Sequence, residues 1–275
     1  MKLATVRTKA GTSAARVEGE NLVLLPFKDV RQGLESGLSL ADEPGGDVLP
    51  LGDADLAPVV PWPEKIVCIG LNYAAHAAEA GLEVPSFPPM FAKYARSLLG
   101  PYDDLVLPSN SNAVDWEVEL GVVIGAEARH VSVEDALDAV AGYTVVNDVS
   151  MRDWQKRTSQ FLQGKTFEAS SPAGPWLVTP DEVDDPQQLT VRCKVDGQVM
   201  QESSTADMVF SVAEIVSYIS EIITLVPGDL IATGTPSGIG SARQPKIFLK
   251  EGNVLESEID SIGQMRNVCR AQSGG

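Results

Sequence analysis

Beyond residue 64, apolar residues either alternate with polar ones or stand in short blocks. Residues 65–70, 116–124, 143–147, 176–179, 189–195 and 229–233 therefore read as β-strands. Helical spacing is rarer. Ser132-Val133-Glu134-Asp135 resembles a capping box and predicts a helix ending at Gly142. Ser211 and Glu214 form a second box, followed by Val212, Ile215 and Ile219 on one face. A third, alanine-rich segment lies between Gly70 and Gly81 and favours a short helix. Strands and helices do not alternate, so a doubly wound parallel sheet is not expected. The pattern predicts an α+β fold, mainly β, of mixed or antiparallel sheet.

The first 60 residues differ in texture. A strand-like run over residues 21–25 is set among Gly- and Asp-rich turns. Pro58-Val59-Val60-Pro61-Trp62-Pro63 reads as a rigid connector. A small N-terminal accessory domain (1–63) and a catalytic domain (64–275) are expected.

The chain has 275 residues, 44% of them hydrophobic, which suffices for such a division. No apolar stretch reaches the ~18 residues of a membrane span. Met1 to Ala15 carries scattered Lys and Arg with no apolar core, so a cytoplasmic protein without a secretory signal is expected. Net charge is -17 with no basic cluster, which argues against a nucleic-acid partner. An anionic substrate would then need local positive charge, for instance a metal ion. Cys68, Cys193 and Cys269 are far apart and show no CxxC spacing, so neither a disulfide framework nor a zinc site is indicated. Cys68 reads as a buried thiol.

Chemistry enters with Asp115-Trp116-Glu117-Val118-Glu119-Leu120. In a strand, Glu117 and Glu119 share one face while Val118 and Leu120 take the other. Two adjacent carboxylates repel unless a hard divalent cation joins them; the bland alternative is a solvated edge strand. Asp148 ends the apolar run 143–147 and offers a third carboxylate. Three oxygen donors without nitrogen or sulfur suit Mg²⁺, Mn²⁺ or Ca²⁺ better than zinc. His76 and Glu79, three apart on the alanine-rich helix, are neighbours, and a carboxylate beside imidazole suits a general base. The alternative is an ordinary surface pair. Arg152-Asp153-Trp154-Gln155 and Gln163-Gly164-Lys165 follow Asp148, and Lys165 could neutralise a substrate carboxylate or an enolate.

Thr233-Gly234-Thr235-Pro236-Ser237-Gly238-Ile239-Gly240 matches the glycine pattern of short-chain dehydrogenases. It comes too late in the chain to open a dinucleotide fold, and Pro236 suits no N–H-donating phosphate loop. An NAD(P)-dependent oxidoreductase is rejected on that ground. A tight turn carrying N–H groups and the Thr235 hydroxyl towards a ligand is the better reading.

Taken together, Ile69 to Tyr73 with His76 and Glu79, Phe91-Ala92-Lys93, Ser97 to Pro101, Asp115 to Glu119, Asn147-Asp148 with Arg152-Asp153, Gln163-Gly164-Lys165, Pro227-Gly228-Asp229 and Thr233 to Gly240 resemble the fumarylacetoacetate hydrolase family from Lys65 to about Asn267. The resemblance implies a mixed β-sandwich roll and a homodimer. It implies Mg²⁺, with Mn²⁺ or Ca²⁺ possible, on Glu117, Glu119 and Asp148, and a catalytic His76–Glu79 pair on a segment that orders over the ligand. Lys165 is implied as catalytic, and Lys93, Gln155 and Thr235 as contacts to a small keto acid. The implied reaction is C–C hydrolysis of an acylpyruvate or β-diketo acid through a pyruvate enolate, as in aromatic catabolism. An oxaloacetate decarboxylase or a 2-hydroxyhepta-2,4-diene-1,7-dioate isomerase is chemically close. Selectivity is expected in segment 82–97 or near Gln160.

Overall fold

The computed structural model describes residues 1–272. Its strands build two large sheets and a two-stranded one, Val114–Asp115 paired with Ser150–Met151. In spatial order the larger runs Val48–Pro50, Asn21–Leu24, Gly11–Glu18, Lys2–Thr8, Ser171–Val178, Val140–Asn147, Val118–Ile124, Leu230–Ala232, Ile66–Ile69, Met90–Lys93. Shortly after its last strand, Leu98–Leu99 pairs in parallel with Ser171 and Pro172, so this sheet curls back on itself into a roll. The smaller sheet runs Gln198–Ser204, Thr190–Val195, Val254–Ile259, Gly263–Ala271, Leu105–Leu107.

Leu120, Val122 and Val145 face the smaller sheet, packing with Val191, Leu255 and Met265. Val123 and Val146 face the other way, into a second core with Leu3, Ala14 and Leu177. The block Ile66-Val67-Cys68-Ile69 splits between the two: Val67 and Ile69 enter the first core, Ile66 and Cys68 the second. A strand covered on both faces needs a continuous apolar run, and this one has it.

Residues 1–63 are joined to the rest through the sheet itself. Lys2 and Leu3 pair with Val178 and Leu177, and the second core draws residues from both sides of Pro63.

The expected helix from Ser132 to Gly142 does not form. Ser132 Oγ accepts the Asp135 N–H as a cap would, yet only the 3₁₀ turn Ala136–Ala139 follows, and Val140 already opens a strand. Pairing that strand between two neighbours satisfies its backbone and outweighs local helix propensity. The other two helices appear, as Ala74–Glu79 and Val212–Ile222.

Strand direction places the site. Ile66–Ile69 and Leu230–Ala232 run parallel to each other, while Val118–Ile124 is antiparallel to Leu230–Ala232 and to Val140–Asn147. The start of Val118–Ile124, with Glu117 before it, therefore meets the ends of the other three and the turns that leave them.

In the helix Val212–Ile222, Ser211 Oγ accepts the Glu214 N–H and Glu214 accepts the Ser211 N–H, while Ile215 and Ile219 are fully buried. Ser211→Ala should lower the unfolding free energy by about 1 kcal/mol in urea denaturation, with the slope unchanged.

Candidate active site

Glu117, Glu119 and Asp148 each present an oxygen within 4.8 Å of the others, and all three are buried. The solvated-edge alternative fails, because Val118–Ile124 is an interior strand and Glu119 is 2% exposed. An all-oxygen set of this kind fits a hard divalent cation.

Cations from distant segments close around the triad. Lys165 Nζ lies 2.6 Å from Glu117 Oε2 and 2.6 Å from Asp148 Oδ2. Lys93 Nζ donates to the other Asp148 oxygen. Arg152 Nη2 lies 2.6 Å from Glu117 Oε1, and its Nε donates to Asp115 at 2.8 Å. Lys93 and Arg152 thus belong with Lys165 to one buried cluster around the triad.

The two glutamates respond oppositely. Burial would raise Glu117, but Arg152 and Lys165 outweigh it and hold the carboxyl down at about 2. Burial raises Glu119 well above the carboxylate range, reinforced by Asp148 and Glu117; Lys165 and the Gly234 N–H only partly offset this. Burial would lower Lys165, yet Asp148 and Glu117 raise it, so it remains an ammonium.

His76 stands at the mouth of the same cavity, of about 460 Å³, which Glu117, Glu119, Arg152 and Lys165 also line. Its Nδ1 is 2.8 Å from Glu79 Oε1, and Glu79 Oε2 accepts the Gly238 N–H at 2.9 Å. With Nδ1–H donating to Glu79, Nε2 is left as an acceptor, the arrangement of a general base. At 7% exposed, His76 is no ordinary surface residue.

Gln155 and Thr235 line the cavity too. Gln155 accepts from Arg152 Nη1. Thr235 donates to the Val118 carbonyl and accepts from Gln201, so its hydroxyl braces the strand. Lys93 donates to Asp148 and to the Val149 carbonyl, bracing the triad from beside it. Leu82 and Phe91, from segment 82–97, and Thr158 and Phe161, flanking Gln160, contribute walls.

The turn after Leu230–Ala232 sends N–H groups to the site's own carboxylates: Gly234 to Glu119 and Gly238 to Glu79. Only the 3₁₀ turn Gly240–Ala242 follows, so no phosphate-binding helix opens there and the dehydrogenase pattern is coincidental. The sequence places Arg152 and Asp115 inside motifs without showing that they pair with each other beside the triad. The two lie 37 residues apart, although Asp115 is two before Glu117 and so can be placed on its face.

A family model described as Fumarylacetoacetate (FAA) hydrolase C-terminal matches residues 65–270. A 2,4-didehydro-3-deoxy-L-rhamnonate hydrolase of Sphingomonas sp. (strain SKA58) is 51% identical over 234 residues, 83% of this chain and 82% of that protein. A mitochondrial oxaloacetate tautomerase of Homo sapiens is 47% identical over 222 residues, 80% of this chain and 71% of that protein. The solved fumarylacetoacetate hydrolase from psychrophilic Exiguobacterium antarcticum superposes with a TM-score of 0.87 at 30% identity, over 99% of this chain and 100% of that one.

The opposed glutamates fix two pH effects. Glu117 stabilises the fold above its ordinary value of 4.5, and that contribution is lost as pH falls towards about 2. Burial raises Glu119, so an entering cation competes with protons there more than at Glu117. Mn²⁺ affinity should rise with pH, and binding should release protons. Calorimetry in buffers of differing ionisation enthalpy measures this release, and Glu119→Gln should weaken binding and reduce the release.

Proposed function

The chain belongs to the fumarylacetoacetate hydrolase family, and on that premise we propose that it is a divalent-cation-dependent hydrolase cleaving a C–C bond in an acylpyruvate or related 2,4-dioxo acid. The observation that carries this reading is the His76–Glu79 pair opening on the same cavity as the three-carboxylate cluster. The 51%-identical relative bears the name of a hydrolase of such a 2,4-dioxo, 3-deoxy acid.

Bound at Glu117, Glu119 and Asp148, Mg²⁺ or a similar ion would polarise the α-keto carboxylate end of the substrate and offset charge on the departing enolate. The protein supplies the rest. Asp115, Glu117, Glu119 and Asp148 against Lys93, Arg152 and Lys165 leave one negative charge when all are ionised. A divalent cation turns this into one positive charge, which suits an anionic keto acid in a chain of net charge -17.

His76, oriented by Glu79, accepts a proton from water at Nε2. The hydroxide adds to the distal carbonyl, and the bond between that carbon and the methylene breaks. Its electron pair passes to the pyruvate enolate, opposite the ammonium of Lys165. Proton return from His76 to the methylene carbon yields pyruvate and a carboxylic acid, which ionises.

The human relative favours a second reading, keto–enol interconversion of oxaloacetate. The same base would move a proton at the methylene with no bond cleaved between carbons.

Pyruvate release from acetylpyruvate, fumarylpyruvate and oxaloacetate, with Mg²⁺ and then EDTA, separates the readings. Hydrolysis requires cation-dependent release from an acylpyruvate. Loss of the oxaloacetate enol absorbance without pyruvate would replace it with tautomerisation. His76→Ala should retain Mn²⁺ binding and lower kcat about 10²–10⁴-fold; unchanged turnover would remove His76 from the mechanism. Glu117→Ala should lose both metal binding and activity.

A further inference from the structure

Beyond its share of the charge balance, Asp115 has no part in the reaction above, yet it is fully buried and takes four hydrogen bonds. Oδ1 accepts the N–H groups of Trp116 at 3.0 Å and Gly240 at 2.7 Å. Oδ2 accepts the Ser241 N–H at 3.0 Å and Arg152 Nε at 2.8 Å. These donors come from two directions. Arg152 is the residue that reaches on to Glu117, while Gly240 and Ser241 belong to the turn whose Gly238 N–H holds Glu79. Resting on the reading of His76 and Glu79 as the base, we infer that Asp115 is a positioning residue that couples the carboxylate cradle to that base.

The turn is built to transmit the constraint. Gly238 has φ +107°, and a Cβ there would come within 2.1 Å of the Met200 carbonyl oxygen. A Cβ on Gly240 would come within 2.0 Å of the Ile247 carbonyl oxygen and 2.7 Å of Asp115 Oδ1. Glycine is needed at both places so that backbone can press against the second sheet and against Asp115. Trp116 holds the same turn, its Nε1 donating to the Gly238 carbonyl at 3.3 Å. Three consecutive residues thus grip both halves: Asp115 and Trp116 hold the turn, and Glu117 faces the cavity. On the other side, one guanidinium is shared between Asp115 and Glu117. Withdraw the Asp115 charge, and a buried arginine keeps a single carboxylate partner and is free to turn about it.

A purely stabilising ion pair would look similar, and the fold contains one for comparison. Asp229 is equally buried and pairs with Lys65 at 2.6 Å, at the opposite ends of the strands Ile66–Ile69 and Leu230–Ala232. Asp115→Asn keeps the volume and an acceptor for Trp116 and Gly240, but sets an NH₂ against the Arg152 Nε–H and the Ser241 N–H. Mn²⁺ affinity of the metal-free protein, by calorimetry, should fall about 10–100-fold. For the substrate the wild type cleaves, kcat should fall with KM little changed. Combining Asp115→Asn with Glu79→Gln should lose less than the product of the two single losses, because both act through one turn. Asp229→Asn should lower Tm and leave Mn²⁺ affinity unchanged.

If Asp115→Asn lowers only Tm, with Mn²⁺ affinity and kcat held, the inference falls. Multiplicative losses in the double variant overturn the coupling. Should Asp115→Asn fail to fold, Arg152→Lys, too short to bridge Asp115 and Glu117, should show the same Mn²⁺ loss, and unchanged affinity would overturn the inference. If the wild type releases no pyruvate from any 2,4-dioxo acid, the proposed reaction fails, and Mn²⁺ affinity alone decides the role of Asp115.

Discussion

A carboxylate shut away from water must be neutralised, and this fold shuts away four of them within one cluster. Asp115, Glu117, Glu119 and Asp148 lie at the end of an interior sheet, at most 5% exposed. Removing such charges from solvent costs several kcal/mol each in effective terms, and paired charges in a protein interior often add nothing net to stability. A network of this kind is therefore poor evidence of a stabilising device. Its retention makes sense where charge itself is needed, for a cation and an anionic ligand. Lys93, Arg152 and Lys165, from three separate segments, meet at this one place.

Sheet direction does much of that work. Three strands end where a fourth begins, so carboxylates before Val118–Ile124 and after Val140–Asn147 meet without help from loops. The turns leaving the other two ends bring the His76 helix and the Gly234–Gly238 backbone to the same rim. Rigid strands fix the triad, while the base rides on a six-residue helix. The exposed Leu82, Val84 and Phe87 follow that helix. Carboxylates held by rigid strands and His76 held by a short helix on the same cavity would suit a site that admits a substrate and closes over it.

Much of this was legible in the sequence, for reasons that mark where legibility ends. The i, i+2 spacing of Glu117 and Glu119 and the i, i+3 spacing of His76 and Glu79 are local, and local geometry follows from the period of the element. Asp148 was found because it ends an apolar run. The partners of these residues were not found, because a strand pattern carries no record of which lysine will reach it. Nothing in the run Phe91-Ala92-Lys93 shows that Lys93 reaches Asp148. The supposed helix after Ser132 failed for the complementary reason: its cap is real, but Val140 and the residues after it are claimed by neighbours far away in sequence. Asp115 stood inside a motif already singled out, and only the position of Arg152 and of the turn at Gly240 reveals its use.

The contrast between Glu117 and Glu119 shows where the cluster is incomplete. They are two residues apart on one face, yet Arg152 and Lys165 press on the first, while the second receives a single backbone N–H and the more distant influence of Lys165. Positive charge is thus concentrated on Glu117 and Asp148, and the deficit falls on Glu119, on the cavity wall. A cation arriving through the cavity meets the carboxylate that the protein itself leaves least neutralised. A monovalent ion would bring the fully ionised cluster only to neutrality. A divalent one leaves a surplus positive charge, which would suit the proposed anionic keto acid in a molecule that is otherwise strongly acidic.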